Sequence, residues 1–214
     1  MTPNRKDFIF DMETLGARVH SCPVVDMAYT TFEWDRFVQE PYSFQELATN
    51  MKTVKLSVKD QVDNYGCKFT KEDVQWWEKL PKEARDKLKR TPNDLTVVKF
   101  CDTILQYLRE QVNVDYWWSR GNTFDPVIIS RLMDDTNNEY IFKEYLKFHK
   151  VRDIRTHIDA KLNYPKKNGF VPVSDVEYWE KAFVAHDSTH DVAADIMRLQ
   201  AIHRAENDLE MVDK

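Results

Sequence analysis

Two acidic side chains near the amino terminus are placed where they could bind a cation. Asp11 and Glu13 lie in the segment FIFDMETLG, directly after an apolar run that is typical of a buried strand. Side chains two residues apart in a strand point to the same face, so both carboxylates would lie close together. Such a pair repels, and a divalent cation removes that cost and keeps both groups ionised. The alternative is a strand that runs into a turn with both acids solvated.

A third acid, Asp125, stands in the segment GNTFDPVIIS, between a predicted strand and a predicted helix. Ligands of α/β proteins usually bind where strands end, and a carboxylate in this connection would lie there. Pro126 is favourable at the first position of a helix, which also makes Asp125 a candidate N-cap. In that alternative, the carboxylate of Asp125 only stabilises the start of the helix.

A histidine and a fourth acid occur together in the segment HDSTHDVAAD, where His186 precedes Asp191 by five residues. Histidine has an unperturbed pKa of about 6.5, which suits proton transfer near neutral pH. In the structural alternative, Ser188 and Asp191 form a capping box at the start of the last helix. The other polar residues of the segment would then be solvated surface groups, namely Asp187, His190 and Asp195.

The order and contexts of these residues resemble the DEDDh family of 3′→5′ exonucleases, whose motifs are D-x-E, a mid-chain aspartate and H-x-x-x-x-D. In this chain the motifs extend from Asp11 to Asp191, with His186 as the histidine. The segments FDMETLG, WWEK, RGNTFD, VRDIRT and FVAHDSTHD are similar to the DexA group of T-even bacteriophages and to bacterial relatives that include a mycobacterial exoribonuclease. Residues 35–65 match these relatives less well.

The resemblance implies an α/β, ribonuclease-H-like fold with a mixed central sheet flanked by helices. It also implies dependence on two divalent metal ions, Mg²⁺ or Mn²⁺, and release of nucleoside 5′-monophosphates. Two metals about 3.5–4 Å apart stabilise both the attacking and the leaving oxygen, and oxygen ligands favour these hard ions over zinc. Asp11 would bridge the two ions, Glu13 and Asp191 would complete one site, and Asp125 would act on the other. His186 would take the proton from the attacking water.

Recognition of a strand end is a further implication of the resemblance. In the family, the acid of the first motif and the backbone after it contact the terminal 3′-hydroxyl, which points to Glu13, Thr14 and Leu15. Aromatic rings stack on unpaired bases. Trp76 and Trp77 are adjacent on one predicted helix and face different directions. One of them would pack in the core, and we assign Trp77 as the one that stacks on the terminal base.

Two more residues are candidates for contact with the substrate. Phe124 lies next to Asp125 and could stack on a base, with packing in the core as the alternative. Arg155, in the segment VRDIRT, could contact a phosphate, whereas its structural alternative is an ion pair with Asp153 or Asp159.

The elements that would position these residues follow from periodicity, capping and turn residues. Predicted strands cover residues 7–12, 24–34, 42–48, 53–58 and 116–119. Predicted helices cover residues 71–80, a short piece after Pro81, and residues 95–110, 124–133 and 189–207. Thr70 and Asp73 fit a capping box, and Tyr164-Pro165 and Asn168-Gly169 are predicted turns. Strands followed by alternating helices and strands indicate an α/β fold with a mixed sheet.

Length and composition indicate a single soluble domain, because 214 residues with 42% apolar and 31% charged residues suffice for one core. We expect this domain to cover residues 1–207 and an acidic tail at residues 208–214 to fray. Only four glycines are present, and no phosphate-binding glycine motif occurs. Three cysteines without C-x-x-C spacing favour a reducing cytoplasmic location over a structural zinc site. No apolar run reaches the roughly 18–20 residues that span a bilayer.

The formal net charge of −5 disfavours a protein that covers long duplex DNA, since such proteins are usually basic. Metal ions could supply positive charge locally, so an enzyme that holds only a nucleic acid with a free 3′ end remains compatible. The leading hypothesis is a 3′→5′ exonuclease on single-stranded DNA. RNA is the alternative substrate, because no feature of the sequence reads the 2′-hydroxyl. A non-catalytic nucleic-acid-binding module and a metal-dependent phosphatase or nucleotidase are the other possibilities.

Overall fold

The computed structural model describes residues 5–111, 114–162, 169–171, 182–207 and 209. Its strands are β1 (Lys6–Thr14), β2 (Val24–Glu33), β3 (Lys52–Lys55), β4 (Val114–Ser119) and β5 (Val151–Asp153). Its helices are α1 (Arg36–Gln39), α2 (Phe44–Asn50), α3 (Val58–Tyr65), α4 (Lys71–Trp77), α5 (Lys82–Asp86), α6 (Val97–Glu110), α7 (Asp125–Asp135), α8 (Glu139–Tyr145), α9 (Ile154–Leu162) and α10 (Ser188–Glu206), with a 3₁₀ turn at Phe148–Lys150. Within these ranges, no helix has the length and apolar character needed to cross a membrane.

The strands form one mixed sheet in the order β3-β2-β1-β4-β5. β1 pairs antiparallel with β2 and parallel with β4, and β5 extends the parallel part. β1 is therefore central, and the carboxyl ends of β1, β4 and β5 lie at the same edge of the sheet. The mixed sheet flanked by helices is the fold class that the sequence predicted.

The side chains of β1 alternate between two cores, one on each face of the sheet. Phe8, Phe10 and Met12 pack in a cluster with α6, α7 and α8. Ile9 packs in the other cluster, which includes the apolar stripe of α10. Since alternate residues of a strand share a face, Asp11 lies on the face covered by α10. The alternation that buries this strand therefore also directs the first motif towards the last helix.

Asp7 is a fully buried carboxylate that belongs to the fold and not to the site. It accepts hydrogen bonds from the indole N–H groups of Trp34 at 2.8 Å and Trp118 at 2.7 Å. Arg5 pairs with it at 2.6 Å. Its negative charge is thus matched locally, although it precedes Asp11 by four residues on the same face of β1.

The prediction of strands over residues 42–48 and 53–58 is wrong in part. Residues 44–50 form α2, whose start is capped by the Ser43 hydroxyl accepting from the Glu46 amide, and whose buried residues Phe44 and Leu47 are three apart. β3 ends at Lys55, and Ser57 then caps α3. A serine N-cap outweighs strand propensity here, because it satisfies an amide that the first turn leaves unpaired.

The remaining predicted elements are observed with small shifts at their ends. Thr70 and Asp73 form the predicted capping box at α4. Asp125 is the first residue of α7, and Phe124 takes the N-cap position, so the assignment of Asp125 as the cap is wrong by one residue. The predicted turn at Tyr164-Pro165, residue Asn168 and the tail at 208–214, except Leu209, lie outside the described residues.

Candidate active site

Three of the predicted carboxylates lie together at the edge of the sheet where β1 ends. Asp11 and Glu13 come from β1, and Asp191 comes from the first turn of α10. One carboxylate oxygen of each residue lies within 4.8 Å of those of the other two. Hard divalent cations bind carboxylate oxygens at about 2.0–2.6 Å, so oxygens at this spacing can share one cation. Residues that are 180 positions apart in the chain thus form one oxygen-only ligand set.

Asp125 approaches the same place from the start of α7, where it is 3% exposed. Its carboxylate accepts a hydrogen bond from the Met12 backbone. Burial, and after it the charge of Asp125, raises the pKa of Asp11 well above its ordinary value. The two carboxylates are therefore neighbours, and Asp125 stands beside the three-residue set rather than within it.

The acids of the site hold protons more tightly than free carboxyl groups do. Burial, followed by the charges of neighbouring acids, raises the pKa of Glu13 to about 8 and that of Asp191 to about 7. Burial also raises the pKa of Asp125 to about 8, although the charge of Arg155 opposes it. A bound cation would favour the ionised form of every one of these groups. The donor set and its electrostatics therefore fit a divalent metal.

A pH-dependent response to metal follows from these raised pKa values. A carboxyl group with a raised pKa in the folded state binds more protons there than in the unfolded chain, so metal-free stability should fall from pH 5 to pH 8. Mn²⁺ needs the ionised groups, so its stabilising effect should grow over the same interval. At 100 times its Kd, a ligand adds about 2.7 kcal/mol, or roughly 5–10 °C in Tm for a domain of this size. Thermal unfolding with and without Mn²⁺ at several pH values measures both effects.

Two variants control this measurement. Asp191→Asn removes one of the raised acids, so the metal-free variant should lose less stability between pH 5 and pH 8. Asp63→Asn changes an exposed acid on α3 and should keep the wild-type dependence. A wild-type protein whose metal-free stability rises over this interval would contradict the electrostatic description of the site.

His186 lies beside Trp76 of α4, and Trp76 shares the lining of a cavity with Glu13. It has a left-handed backbone with φ of 61°, and its imidazole is exposed. Its ring meets that of Trp76 edge to face, with 5.0 Å between the centroids. Partial burial lowers the pKa of His186, so the neutral form that can accept a proton is the main form at neutral pH.

Spacing alone does not separate His186 from His190, because Asp195 follows His190 by five residues as Asp191 follows His186. The structure separates them. The Nδ1 atom of His190 accepts a hydrogen bond from the Val184 amide, and its ring packs between two phenylalanines. Asp195 is 3% exposed. His190 is therefore a packed structural residue.

The structure does not support the alternatives in which Asp187 and Asp195 are solvated surface groups and Asp191 belongs to a capping box. Asp187 caps α10 by accepting from the amides of Thr189 and His190, so Asp191 is not the residue that caps this helix. Asp195 is buried one turn after Asp191, where Arg120 and Arg198 pair with it at 2.7 Å each. The first turn of α10 thus presents Asp191 to the site, and two guanidinium groups neutralise the acid behind it.

A cavity of about 400 Å³ opens beside the carboxylates. Glu13 and Thr14 line it on the side of β1, and Trp76 and Phe124 line it on the sides of α4 and α7. Trp76 is 44% exposed, whereas Phe124 also packs against the core. The cavity is large enough for one nucleotide base with its sugar, and its aromatic walls suit a flat ring.

The prediction that Trp77 stacks on a base is wrong. Trp77 is fully buried, and its indole N–H donates to the Thr14 carbonyl at 3.0 Å. Trp76, its neighbour, faces the cavity instead. Leu15 is also buried, and its amide donates to the Pro23 carbonyl at 2.8 Å, so this amide is not available to a 3′-hydroxyl.

Gly16 allows the helix that carries Trp76 to approach the end of β1. Its φ of +111° favours glycine, and a Cβ atom there would lie 3.0 Å from the Asp73 carboxylate. Asp73 accepts from the Thr70 amide at 2.7 Å and closes the capping box of α4. A larger residue at position 16 would therefore push this helix away from the cavity.

Arg155, at the start of α9, is exposed and lies near enough to Asp125 to oppose the rise in its pKa. The two acids considered as its ion-pair partners accept hydrogen bonds from backbone amides instead. Asp153 accepts from the amides of Asn122 and Thr156, and Asp159 accepts from the amide of Gly169. The guanidinium group thus remains at the rim of the carboxylate site.

Sequence reasoning missed several residues around the site, because only tertiary contacts bring them there. Asp26 pairs with Glu13 across β1 and β2 and is 2% exposed. Lys87, after α5, pairs with Asp26 at 2.6 Å. Neither residue stands in a motif, and no local pattern distinguishes them from ordinary surface charges.

A ribonuclease-H-like sheet with acids from β1, α7 and α10 gathered at one edge defines the class of the protein, a nuclease. The particular family follows from comparison. The chain belongs to the family described as the 3′-5′ exoribonuclease Rv2179c-like domain, whose model matches residues 6–203. It is also 33% identical over 208 residues to the exodeoxyribonuclease of Enterobacteria phage T4, covering 91% of this chain and 87% of that protein. The chain is accordingly a 3′→5′ exonuclease.

Solved structures share the fold. Apo exonuclease I matches with a TM-score of 0.59 and 15% identity over 94% of this chain. Exonuclease I of E. coli in complex with a dA16 oligonucleotide matches with a TM-score of 0.60 and 14% identity, also over 94% of this chain. The chain spans about two fifths of the length of exonuclease I, covering 42% and 41% of those two chains.

Proposed function

We propose that this chain hydrolyses single-stranded DNA from the 3′ end and releases nucleoside 5′-monophosphates, with two divalent ions, Mg²⁺ or Mn²⁺, as cofactors. The observation that carries the proposal is the meeting of Asp11, Glu13 and Asp191 within 4.8 Å beside a cavity with aromatic walls. The phage relative is named an exodeoxyribonuclease, and exonuclease I has been solved with single-stranded DNA. Both favour DNA as the substrate.

The four acids would hold the metal ions, with Asp11 between the other ligands because it is next to Asp125 as well as in the three-residue set. When bound, two such ions supply a nucleophile at neutral pH and stabilise charge on the attacking and leaving oxygens. His186 would accept the proton of the attacking water, since its exposed imidazole contacts Trp76 at the cavity beside Glu13. Its left-handed backbone sets the direction of the ring.

The cavity would hold the terminal nucleotide of the strand. Trp76 and Phe124 would stack on the base, while Glu13 and Thr14 face the sugar from the end of β1. Arg155, at the rim next to Asp125, would contact a phosphate. A volume of about 400 Å³ suits one unpaired nucleotide better than a base pair.

RNA is a second candidate substrate, since the matching family model is described as an exoribonuclease domain. A ribose differs from a deoxyribose only by the 2′-hydroxyl, which a site must contact to distinguish the two. Parallel degradation of DNA and RNA strands of one sequence decides between them. A higher kcat/KM on RNA would replace the DNA assignment and leave the rest of the proposal unchanged.

A product ladder is the most direct test of the proposed reaction. With Mn²⁺, a single strand labelled at its 5′ end should shorten one nucleotide at a time, and EDTA should stop the reaction. The released products should be nucleoside 5′-monophosphates by chromatography. A strand whose 3′ end is blocked by a bulky group is the matched control and should persist. Removal of a terminal phosphate without shortening would instead indicate a phosphatase.

The stacking role of Trp76 gives a separate prediction. Trp76→Ala should raise KM for a single strand by about 10-fold or more, because stacking on one base contributes about 1–3 kcal/mol. Trp76→Phe retains a ring and should recover most of the affinity. Phe69→Ala is the control, since Phe69 is similarly exposed at 42% but does not line the cavity. Equal KM values for Trp76→Ala and Phe69→Ala would remove Trp76 from the substrate site.

A further inference from the structure

Lys87 joins three separate parts of the chain at one ammonium group. Its Nζ lies 2.6 Å from Asp26 Oδ2 on β2 and 3.2 Å from Asp187 Oδ2 at the start of α10. It also donates to the Ser188 hydroxyl at 3.4 Å. The side chains of Lys87 and Asp26 are only 16% and 3% exposed, so these contacts are largely removed from solvent.

Asp187 stands directly after His186 and has two functions at once. One of its carboxylate oxygens accepts from the amides of Thr189 and His190 at 3.0 and 3.3 Å, which caps α10. Its other oxygen faces Lys87. The carboxylate is thus held from both sides, and the residue before it has little freedom to turn.

The backbone of His186 needs such support. A φ of 61° is uncommon for any residue other than glycine, although histidine adopts it more often than most. Conformations of this kind persist where the surroundings determine them, and they occur often at functional sites. The capping bonds and the ion pair with Lys87 restrain Asp187, and the edge-to-face contact with Trp76 restrains the His186 ring itself.

Asp26 ties the same lysine to the carboxylate site. It stands opposite Glu13 in the register of β1 and β2, and it is buried. The segment around Lys87 is anchored in turn, because Leu88 packs against the cluster of Leu15 and Trp77. Lys87 therefore links the segment that packs against Trp77 of α4 to the start of α10, where Asp187 follows His186.

We propose that Lys87 is a positioning residue for hydrolysis, which holds Asp187 and thereby fixes His186 at the carboxylate site; this rests on the proposed function. A role in stability alone does not explain the arrangement well, because the desolvation cost of a buried ion pair offsets most of its attraction. An effect of Lys87 on the position of His186 does explain the arrangement. Misplacement of a reacting group by about 1 Å can lower a rate about 100-fold.

The first test compares Lys87→Met with Lys87→Arg at saturating Mn²⁺ over a range of single-stranded DNA concentrations that gives both kcat and KM. Lys87→Met should lower kcat by about 10- to 100-fold with KM within about 3-fold of wild type, because the base and not the substrate is misplaced. Lys87→Arg retains the charge and should recover at least part of kcat. Lys55→Met is the matched control, since Lys55 lies on the neighbouring strand β3 and forms its own ion pair, with Asp94 at 3.1 Å. A wild-type kcat for Lys87→Met would overturn the proposal.

The second test asks whether Lys87 acts through His186. In a His186→Asn background, Lys87→Met should cause no further fall in kcat, because the group that it positions is already absent. Equal multiplicative effects of the two substitutions would overturn the proposal. Mn²⁺ should raise the Tm of Lys87→Met as it raises that of wild type. Loss of this shift would place Lys87 in the metal site and would also overturn the positioning role.

An alternative variant covers the case in which Lys87→Met does not fold. Asp187→Asn retains a capping oxygen but removes the charge that faces Lys87, so it should lower kcat as Lys87→Met does. In the His186→Asn background, it should cause no further fall in kcat. A wild-type kcat for Asp187→Asn would then overturn the proposal. A wild-type protein that degrades no nucleic acid would refute the proposed function itself, an outcome distinct from an active wild type with unaffected variants.

Discussion

Asp11→Asn should lower kcat by at least about 10³-fold while the protein remains folded. Asp11 is the acid that is both part of the three-residue set and next to Asp125, so its loss affects the proposed sites of both metal ions. Metal ions contribute several kcal/mol of charge stabilisation in the transition state, and about 1.4 kcal/mol corresponds to a factor of ten in rate. Steady-state degradation of a labelled single strand with Mn²⁺ measures the effect.

A stability measurement separates this effect from misfolding. Burial and neighbouring acids raise the pKa of Asp11, which means that its charge destabilises the metal-free protein. Metal-free Asp11→Asn should therefore be more stable than wild type at pH 8, and Mn²⁺ should no longer raise its Tm. Asp63→Asn, at an exposed position on α3, should keep both activity and the response to Mn²⁺. Near-normal kcat in Asp11→Asn would end the assignment of this residue as a metal ligand.

His186→Asn should lower kcat by about 10²- to 10⁴-fold, the usual contribution of a general base, and leave KM nearly unchanged. Asparagine is the informative replacement because it tolerates the left-handed backbone at this position and cannot act as a base near neutral pH. The variant should still gain stability from Mn²⁺, since the four acids are intact. His149→Asn, at an exposed histidine remote from the motifs, is the control.

The pH profile gives an independent test of the same residue. Burial lowers the pKa of His186 below its ordinary value of 6.5, so the neutral form persists to lower pH than for a free histidine. At saturating Mn²⁺, kcat of wild type should rise with pH and level off, with its midpoint below 6.5. His186→Asn should lose this rise. A variant that keeps the same profile at a lower rate would show that another group accepts the proton.

The negative net charge of the chain is compatible with an exonuclease, because part of that charge lies in the buried acids of the site. The formal net charge is −5, and burial raises the pKa of the clustered acids. A protein that holds one strand end through metal ions does not need a basic surface to neutralise many phosphates. Low ionic strength should therefore increase its affinity for DNA less than it does for proteins that cover the duplex.

Local sequence determined the elements that carry the motifs. The apolar run before Asp11 and the amphipathic repeat of α10 are properties of short segments, because burial requires a period of two in strands and near 3.6 in helices. Caps are local as well, and Thr70 with Asp73 begins α4 as its pattern indicates. The family motifs indicated which acids, remote from one another in the chain, belong to one site, because each motif specifies residue type, order and context.

Only the tertiary structure decided which neighbouring residue faces the site. Trp76 and Trp77 are equivalent in sequence, yet one lines the cavity and the other is buried, because the choice depends on how α4 docks against the loop at Gly16. Lys87 and Asp26 meet across 61 residues through one ion pair, which no local pattern encodes. Local propensities describe each segment alone, whereas the contacts that orient a side chain come from segments remote in the chain.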